Sequence, residues 1–174
     1  MQSISRVLQL NRNDEINVRI DDYNGSKIQD DPNDRFTHFV GYLLEHDVEF
    51  DCEKYATTKT SGIITYNTTT LNHGYGIVAS TGIFTAPKPG MYAFHFHGQS
   101  REAQQSTNII LRHNNVQVAG IHEGSESNKY DQMLSMSVVL KLDKTDQVDV
   151  YLKNGQLRDA TTWKYTNFIG YLLF

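Results

Sequence analysis

His95 and His97 stand two residues apart in "MYAFHFH", so on an extended chain both imidazoles leave the same side. That spacing supplies half of a zinc or copper site, to be completed by ligands from elsewhere. No CxxC or carboxylate lies at ligand spacing, and the competing reading is two polar residues on an outward or interface face. A second group is oxygen-rich: Asp30, Asp31, Asn33 and Asp34 in "KIQDDPNDRF" are ligands of the kind calcium prefers. A third combines flat rings with hydrogen-bonding groups, Arg158, Asp159, Trp163 and Tyr165 in "RDATTWKY". On a connecting loop such a set can hold a sugar ring, although Trp163 could equally pack beneath its own loop. No nucleophile elbow, zinc-protease helix or phosphate-cradling glycine loop is present, and nothing near Cys52 marks it as activated. The chain therefore reads as non-enzymatic, with no required cofactor.

These groups must be positioned by strands. "MYAFHF" alternates Tyr92, Phe94 and Phe96 against Met91, Ala93 and His95. "QVDVYL" predicts Val148, Val150 and Leu152 inside with Asp149 and Tyr151 outside, and "EINVRI" predicts Ile16, Val18 and Ile20 inside. Turn chemistry separates the runs at Asn114-Asn115, Asn154-Gly155, Pro89-Gly90 and Asn72–Gly76. Many short alternating runs with frequent turns predict an all-β sandwich or barrel.

Composition narrows the partners. The net charge of −4 comes without a basic stripe, so neither nucleic acid nor an anionic membrane surface is indicated. No apolar run approaches the ~20 residues of a membrane span. "MQSISRVLQLNRNDE" lacks the basic end and apolar stretch of a secretory signal. The single cysteine, Cys52, rules out an intramolecular disulfide and leaves a small buried hydrophobe, a free thiol or an intermolecular bridge.

The sequence also repeats itself. "VLQLNRNDEINVRI" from Val7 aligns with "VLKLDKTDQVDVYL" from Val139, and "FTHFVGYLLE" from Phe36 aligns with "YTNFIGYLLF" from Tyr165. The copies lie about 130 residues apart, the length of a domain. The alignment sets Met1 opposite Met133. It predicts that residues 1–45 are the C-terminal strands of a truncated first domain, and that 47–174 is a complete second one.

At "STGIFTAPKPGMYAFHFH" the complete unit resembles the globular head domain of complement C1q, of the C1q/TNF superfamily. Asn72, Phe84, Gly90, Tyr92, Phe94 and Phe96 fall on that family's central pattern. Tyr66 replaces its usual first phenylalanine, and Ile77 stands where an aromatic is usual. "YTNFIGYLLF" is similar to its closing strand through Phe168, Gly170, Tyr171 and Leu172. The resemblance implies a ten-stranded jelly-roll β-sandwich, preceded here by a partial copy, that assembles as a homotrimer with Tyr171 and Leu173 near the threefold seam. It also implies a secreted protein whose signal peptide lies upstream. The sequons at Asn24 and Asn67 are compatible with that.

The expected function is a secreted trimeric recognition module of innate immunity, an invertebrate tandem-domain member that binds microbial or other surface carbohydrate in a lectin-like way. The rivals are a receptor-binding signalling or scaffolding trimer of the cerebellin or adipokine type, and a metal-binding matrix protein using His95 and His97. Calcium is a candidate ion for the acidic loop of the first copy, and less so for the complete domain, whose corresponding loop keeps only Asp159.

Overall fold

The computed structural model describes residues 6, 8, 10–18, 39–41, 47–58, 60–101, 106–124 and 132–174. The acidic loop Asp30–Asp34, the sequon at Asn24 and Ile20 lie outside the described residues, as does most of 1–45. The chain divides into two compact units, Met1–Leu8 with His46–Phe174, and Gln9–Glu45.

Among the described residues of the larger unit every element is a strand: β1 (Glu49–Glu53), β2 (Ala56–Thr58), β3 (Gly62–Ile63), β4 (Thr68–His73), β5 (Ile77–Val78), β6 (Ile83–Thr85), β7 (Gly90–Ser100), β8 (Thr107–His113), β9 (Val116–Glu123), β10 (Met133–Leu142), β11 (Gln147–Asn154), β12 (Leu157–Ala160) and β13 (Asn167–Leu172). The pairing is antiparallel throughout and gives two sheets. The first runs β2-β12-β7-β13-β1-β4, with β10 also paired to β7; the second runs β5-β6-β11-β8-β9, with β3 on β11. The strands exceed the expected ten because β2, β3, β5, β6 and β12 are short pieces of two to four residues. Broken edges of this kind discourage pairing with other chains.

The alternation in the sequence sets the inner faces. Tyr92, Phe94 and Phe96 are fully buried from β7, and Val148, Val150 and Leu152 from β11. Rings from both sheets interlock. Phe50 stacks on Phe84 at 5.2 Å and meets Phe168 edge-on at 5.0 Å, and Phe94 stacks on Phe168 at 5.9 Å. Tyr66, in its phenylalanine position, stacks on Phe168 at 6.0 Å. Gly170 makes the notch for this cluster, because a Cβ there would lie 2.4 Å from Phe50 Cε1 and 2.8 Å from Phe94 Cδ1. Gly90 answers a similar constraint. A Cβ there would sit 2.5 Å from Leu172 Cδ1 and 2.8 Å from the Phe174 carbonyl oxygen, so the closing strand rather than the Pro89 turn requires glycine.

Two expectations about facing need correction. Asp149 lies on the predicted outer face yet is only 3% exposed. Arg112, its register partner on β8, covers it by donating from Nε at 2.8 Å and from a terminal nitrogen at 3.0 Å. The guanidinium also lies 4.3 Å above the Tyr151 ring. In the smaller unit, Ile16 and Val18 are 42% and 66% exposed, and residues 14–18 form no strand. An alternating run becomes a strand only where a neighbouring strand completes its hydrogen bonds.

What does persist in that unit is a turn. Asn11–Asp14 places the Asp14 amide 3.1 Å from the Asn11 carbonyl, with the Asn11 amide donating to the Asp14 carboxylate at 2.7 Å. Asp143–Asp146, its aligned counterpart, shows the same two bonds at 3.1 and 2.9 Å. The third residue is left-handed in both, Asn13 at φ 73° and Thr145 at φ 75°. A four-residue turn closed by its backbone bond and by its own aspartate side chain is satisfied locally and so forms without a sheet.

Cys52 is fully buried in the core, and burial, with the Asp51 charge beside it, pushes its thiol up to about 12. A buried thiol of that kind is a small apolar side chain rather than a nucleophile or a bridge.

Gly170→Ala lowers stability by about 1–3 kcal/mol through overpacking of Phe50 and Phe94, read as a reduced thermal midpoint with unchanged far-ultraviolet dichroism. The Asp146 carboxyl is held down at about 2 by the Asn114 side chain, the Asp143 amide and His113. Its folded value lies below the unfolded one, so it contributes stability above about pH 4 and loses that contribution as pH falls toward 2. Asp146→Asn flattens that part of the stability-against-pH curve.

Candidate functional site

The connection from β12 to β13 is fixed from within. Asp159 is 7% exposed, and its carboxylate accepts three backbone amides: Ala160 at 2.8 Å and Tyr165 at 3.1 Å on one oxygen, Thr166 at 2.7 Å on the other. An ionised carboxylate makes stronger bonds to backbone N–H than a neutral acceptor does, so this residue binds both ends of its loop to one point. The Trp163 and Lys164 amides donate to the Ala160 carbonyl at 3.1 and 3.2 Å. Lys164 is left-handed at φ 49°, which turns the chain back into β13.

The pinned loop displays a flat cationic and aromatic stack. Trp163 keeps 46% of its surface exposed. The Arg158 guanidinium lies 4.5 Å from the centre of its ring, and Tyr165 lies 5.6 Å away at a tilted angle. Arg158, Trp163 and Tyr165 are therefore brought together at the surface, while Asp159 is turned inward as the positioning residue of the group. Both Asp159 oxygens accept backbone amides, two on one and one on the other. Among the described residues no cluster of three or more His, Cys, Asp or Glu is spaced for a metal.

Beside this loop lies a groove that the sequence reading missed. It holds about 290 Å³, and its lining includes Lys54 and the hydroxyl-bearing residues Thr57, Thr58, Thr60, Ser61 and Thr65, beside Gly62 and Ile63. Pairing of β12 with β2 joins loop and groove, with Leu157 opposite Thr58 and Ala160 opposite Ala56. Lys54 donates to the Thr65 carbonyl at 2.8 Å; burial lowers its ammonium from the usual range, and the Asp159 charge opposes that. The signal was the hydroxyl-dense run "TTKTSGIIT", which has no catalytic spacing and so drew no notice.

His95 and His97 do share one face of β7, the face turned from the core. Nδ1 of His95 lies 2.9 Å from the Ser137 hydroxyl and Nε2 lies 3.3 Å from the Tyr171 hydroxyl, with the two rings stacked at 5.7 Å. Burial holds this imidazole below its usual range. His97 is 4% exposed and lies opposite Asn167 of β13. Tyr171 and Leu173 fall on the same outward face, while Phe168 and Leu172 point into the core.

The chain matches the family model of the C1q domain over residues 50–173. It belongs to the C1q-domain family. Among solved structures it is similar to the globular domain of a zebrafish complement 1qA protein, at 20% identity and a TM-score of 0.60, covering 73% of this chain and 98% of that one. It is also similar to murine APRIL, at 13% identity and TM-score 0.58, covering 72% and 98%. A third similar structure is the Eiger TNF from S. frugiperda, at 10% identity and TM-score 0.59, covering 75% and 94%. At these identities the likeness is one of fold, the two-sheet jelly roll. Membership supports a recognition or receptor-binding module.

Replacing Asp159 by Asn leaves the three amides with a weaker acceptor. We expect a stability loss of roughly 1–3 kcal/mol and faster protease cleavage between residues 160 and 165, with the rest of the sandwich still protected.

Proposed function

We propose that this protein is an extracellular, non-enzymatic C1q-type recognition module that assembles as a trimer and binds carbohydrate on microbial or other surfaces. The observation that carries the reading is the exposed Trp163 ring beside the Arg158 guanidinium, on a loop that Asp159 holds rigid and next to a hydroxyl-lined groove. A ring face takes the apolar side of a sugar. Arg158 and the Thr and Ser hydroxyls take its hydroxyl groups. A rigid loop loses little entropy on binding, so modest contacts remain favourable. Three such sites on one trimer would raise avidity by ~10²–10⁴ toward a repetitive surface.

The same stack favours one rival. Exposed tryptophan, tyrosine and arginine are the side chains enriched at protein hot spots, so a protein receptor would use the same loop. The metal-binding matrix reading has less support, because both His95 nitrogens already face hydroxyl partners.

Binding of the full chain to an array of microbial polysaccharides, with free sugars as competitors, separates these readings. Trp163→Ala is expected to reduce sugar-competed binding at least tenfold. Its fold stability should change by no more than about 0.5 kcal/mol, as for an exposed side chain. Binding that free sugars do not compete, or that survives Trp163→Ala, would contradict the carbohydrate reading.

A further inference from the structure

Of the thirteen asparagines, two begin the triplet Asn-X-Ser/Thr whose side-chain amide accepts an N-linked sugar. Asn24-Gly25-Ser26 lies outside the described residues. Asn67-Thr68-Thr69 lies where the chain enters β4. For a folded domain to carry a glycan there, the side chain must be exposed, its amide nitrogen free and the attachment point clear of packed surfaces.

The first two conditions are met locally. Tyr66 turns into the core, 5% exposed and stacked on Phe168, and its neighbour Asn67 faces water. The Asn67 backbone is fastened, its amide donating to the Glu53 carbonyl at 2.9 Å. The side chain is fastened at its oxygen, where Oδ1 accepts the Tyr55 amide at 2.8 Å. A backbone N–H can only donate, so the bonded atom is the carbonyl oxygen and not the nitrogen. Among the described residues Nδ2 has no partner. Glycosylation replaces one hydrogen of Nδ2 and leaves the Oδ1 lone pairs untouched. The bond to Tyr55 therefore survives the modification and holds the attachment point in one orientation.

The third condition is met by the topology. Tyr55 lies two residues past the end of β1 and Asn67 one residue before β4, so their bond sits beyond the end of β1. Tyr171 of the expected seam pairs with Glu49, four residues back along β1 from Glu53, which is roughly 13 Å at the rise of a strand. β4 also lies on the opposite side of β1 from β13. The attachment point thus stands clear of the seam. What it adjoins is an edge. Among the described residues β4 is the terminal strand of its sheet. Its sequence, TTTLNH, has no lysine or proline, two of the residues that keep an open edge from pairing with another chain. A bulky, hydrated oligosaccharide at the head of that strand does the same work.

We propose that Asn67 is an N-glycosylation site whose glycan shields the β4 edge. Nδ2 attacks the anomeric carbon of a lipid-linked pyrophosphate oligosaccharide. The new carbon–nitrogen bond replaces the bond to the pyrophosphate oxygen, pyrophosphate leaves with the electron pair, and Nδ2 gives up one proton. Transfer takes place on the extended chain during export, and the fold then accommodates the product. The inference rests on the extracellular half of the reading above, and not on what the β12–β13 loop binds.

The test uses the full chain behind a secretory leader in cultured animal cells, with Asn24→Gln in every arm so that Asn67 is the one remaining sequon. Peptide N-glycosidase converts a glycosylated asparagine to aspartate, and peptide mapping reads that conversion by position. Conversion at residue 67 is expected, is retained in Thr69→Ser and is lost in Thr69→Ala. A chain without conversion at residue 67 overturns the site, and its export or retention then bears on the extracellular reading alone. A chain converted at residue 67 but held inside the cell supports the site and counts against that reading. Trimming the glycan to its first sugar with an endoglycosidase is expected to leave the thermal midpoint unchanged and to speed aggregation about twofold or more, because the edge is uncovered while the Tyr55 bond remains. An unchanged aggregation rate overturns the shielding of β4.

Discussion

The ring cluster around Gly170 is the contact on which the other features depend. Phe50, Phe94 and Phe168 come from three neighbouring strands of one sheet and Phe84 from the other, and they meet where β13 carries no side chain. Each aromatic pair adds about 1 kcal/mol beyond its burial, so the cluster locks both the sheet-to-sheet spacing and the register of the closing strand. That register sends Phe168 and Leu172 inward and Ile169 and Tyr171 outward, which defines two different surfaces from one strand.

Both surfaces are specified at the ends of β1 and β13 by buried carboxylates. Asp159 receives the Thr166 amide one residue before β13 begins, and so ties the Trp163 loop to the strand that the ring cluster holds. Glu53, at the end of β1, receives Lys164 from that same loop and Arg6 from upstream. Lys164 and Arg6 thus meet at one carboxylate. Buried acids of this type contribute less to net stability than to uniqueness, since only an arrangement that satisfies them is tolerated. They make the display of Trp163 a property of the sandwich rather than of a free loop.

The scaffold was legible because it rests on local alternation and on spacing. Tyr92, Phe94, Phe96, Val148, Val150 and Leu152 could be assigned to the core from a period of two. The C1q resemblance followed from the same residues. The site was legible only in part. Arg158, Trp163 and Tyr165 share a short loop, so sequence proximity revealed them, but the inward turn of Asp159 depends on amides six and seven residues further on. The Arg6–Glu53 ion pair joins residues distant in sequence, separated by 47 positions. No spacing rule finds such pairs. Ile16 and Val18 show the reverse limit, since their alternation is present but the strand is not.

Trp163 is the single tryptophan of the chain, which makes its fluorescence a site-specific reporter. The most direct test of the account is a titration of the intact protein with soluble polysaccharide fragments, following tryptophan emission and its accessibility to a neutral quencher. The account predicts a saturable spectral shift with loss of quenching as a sugar ring covers the exposed indole. Saturable binding detected calorimetrically with the tryptophan signal unchanged would place recognition elsewhere on the sandwich and contradict it.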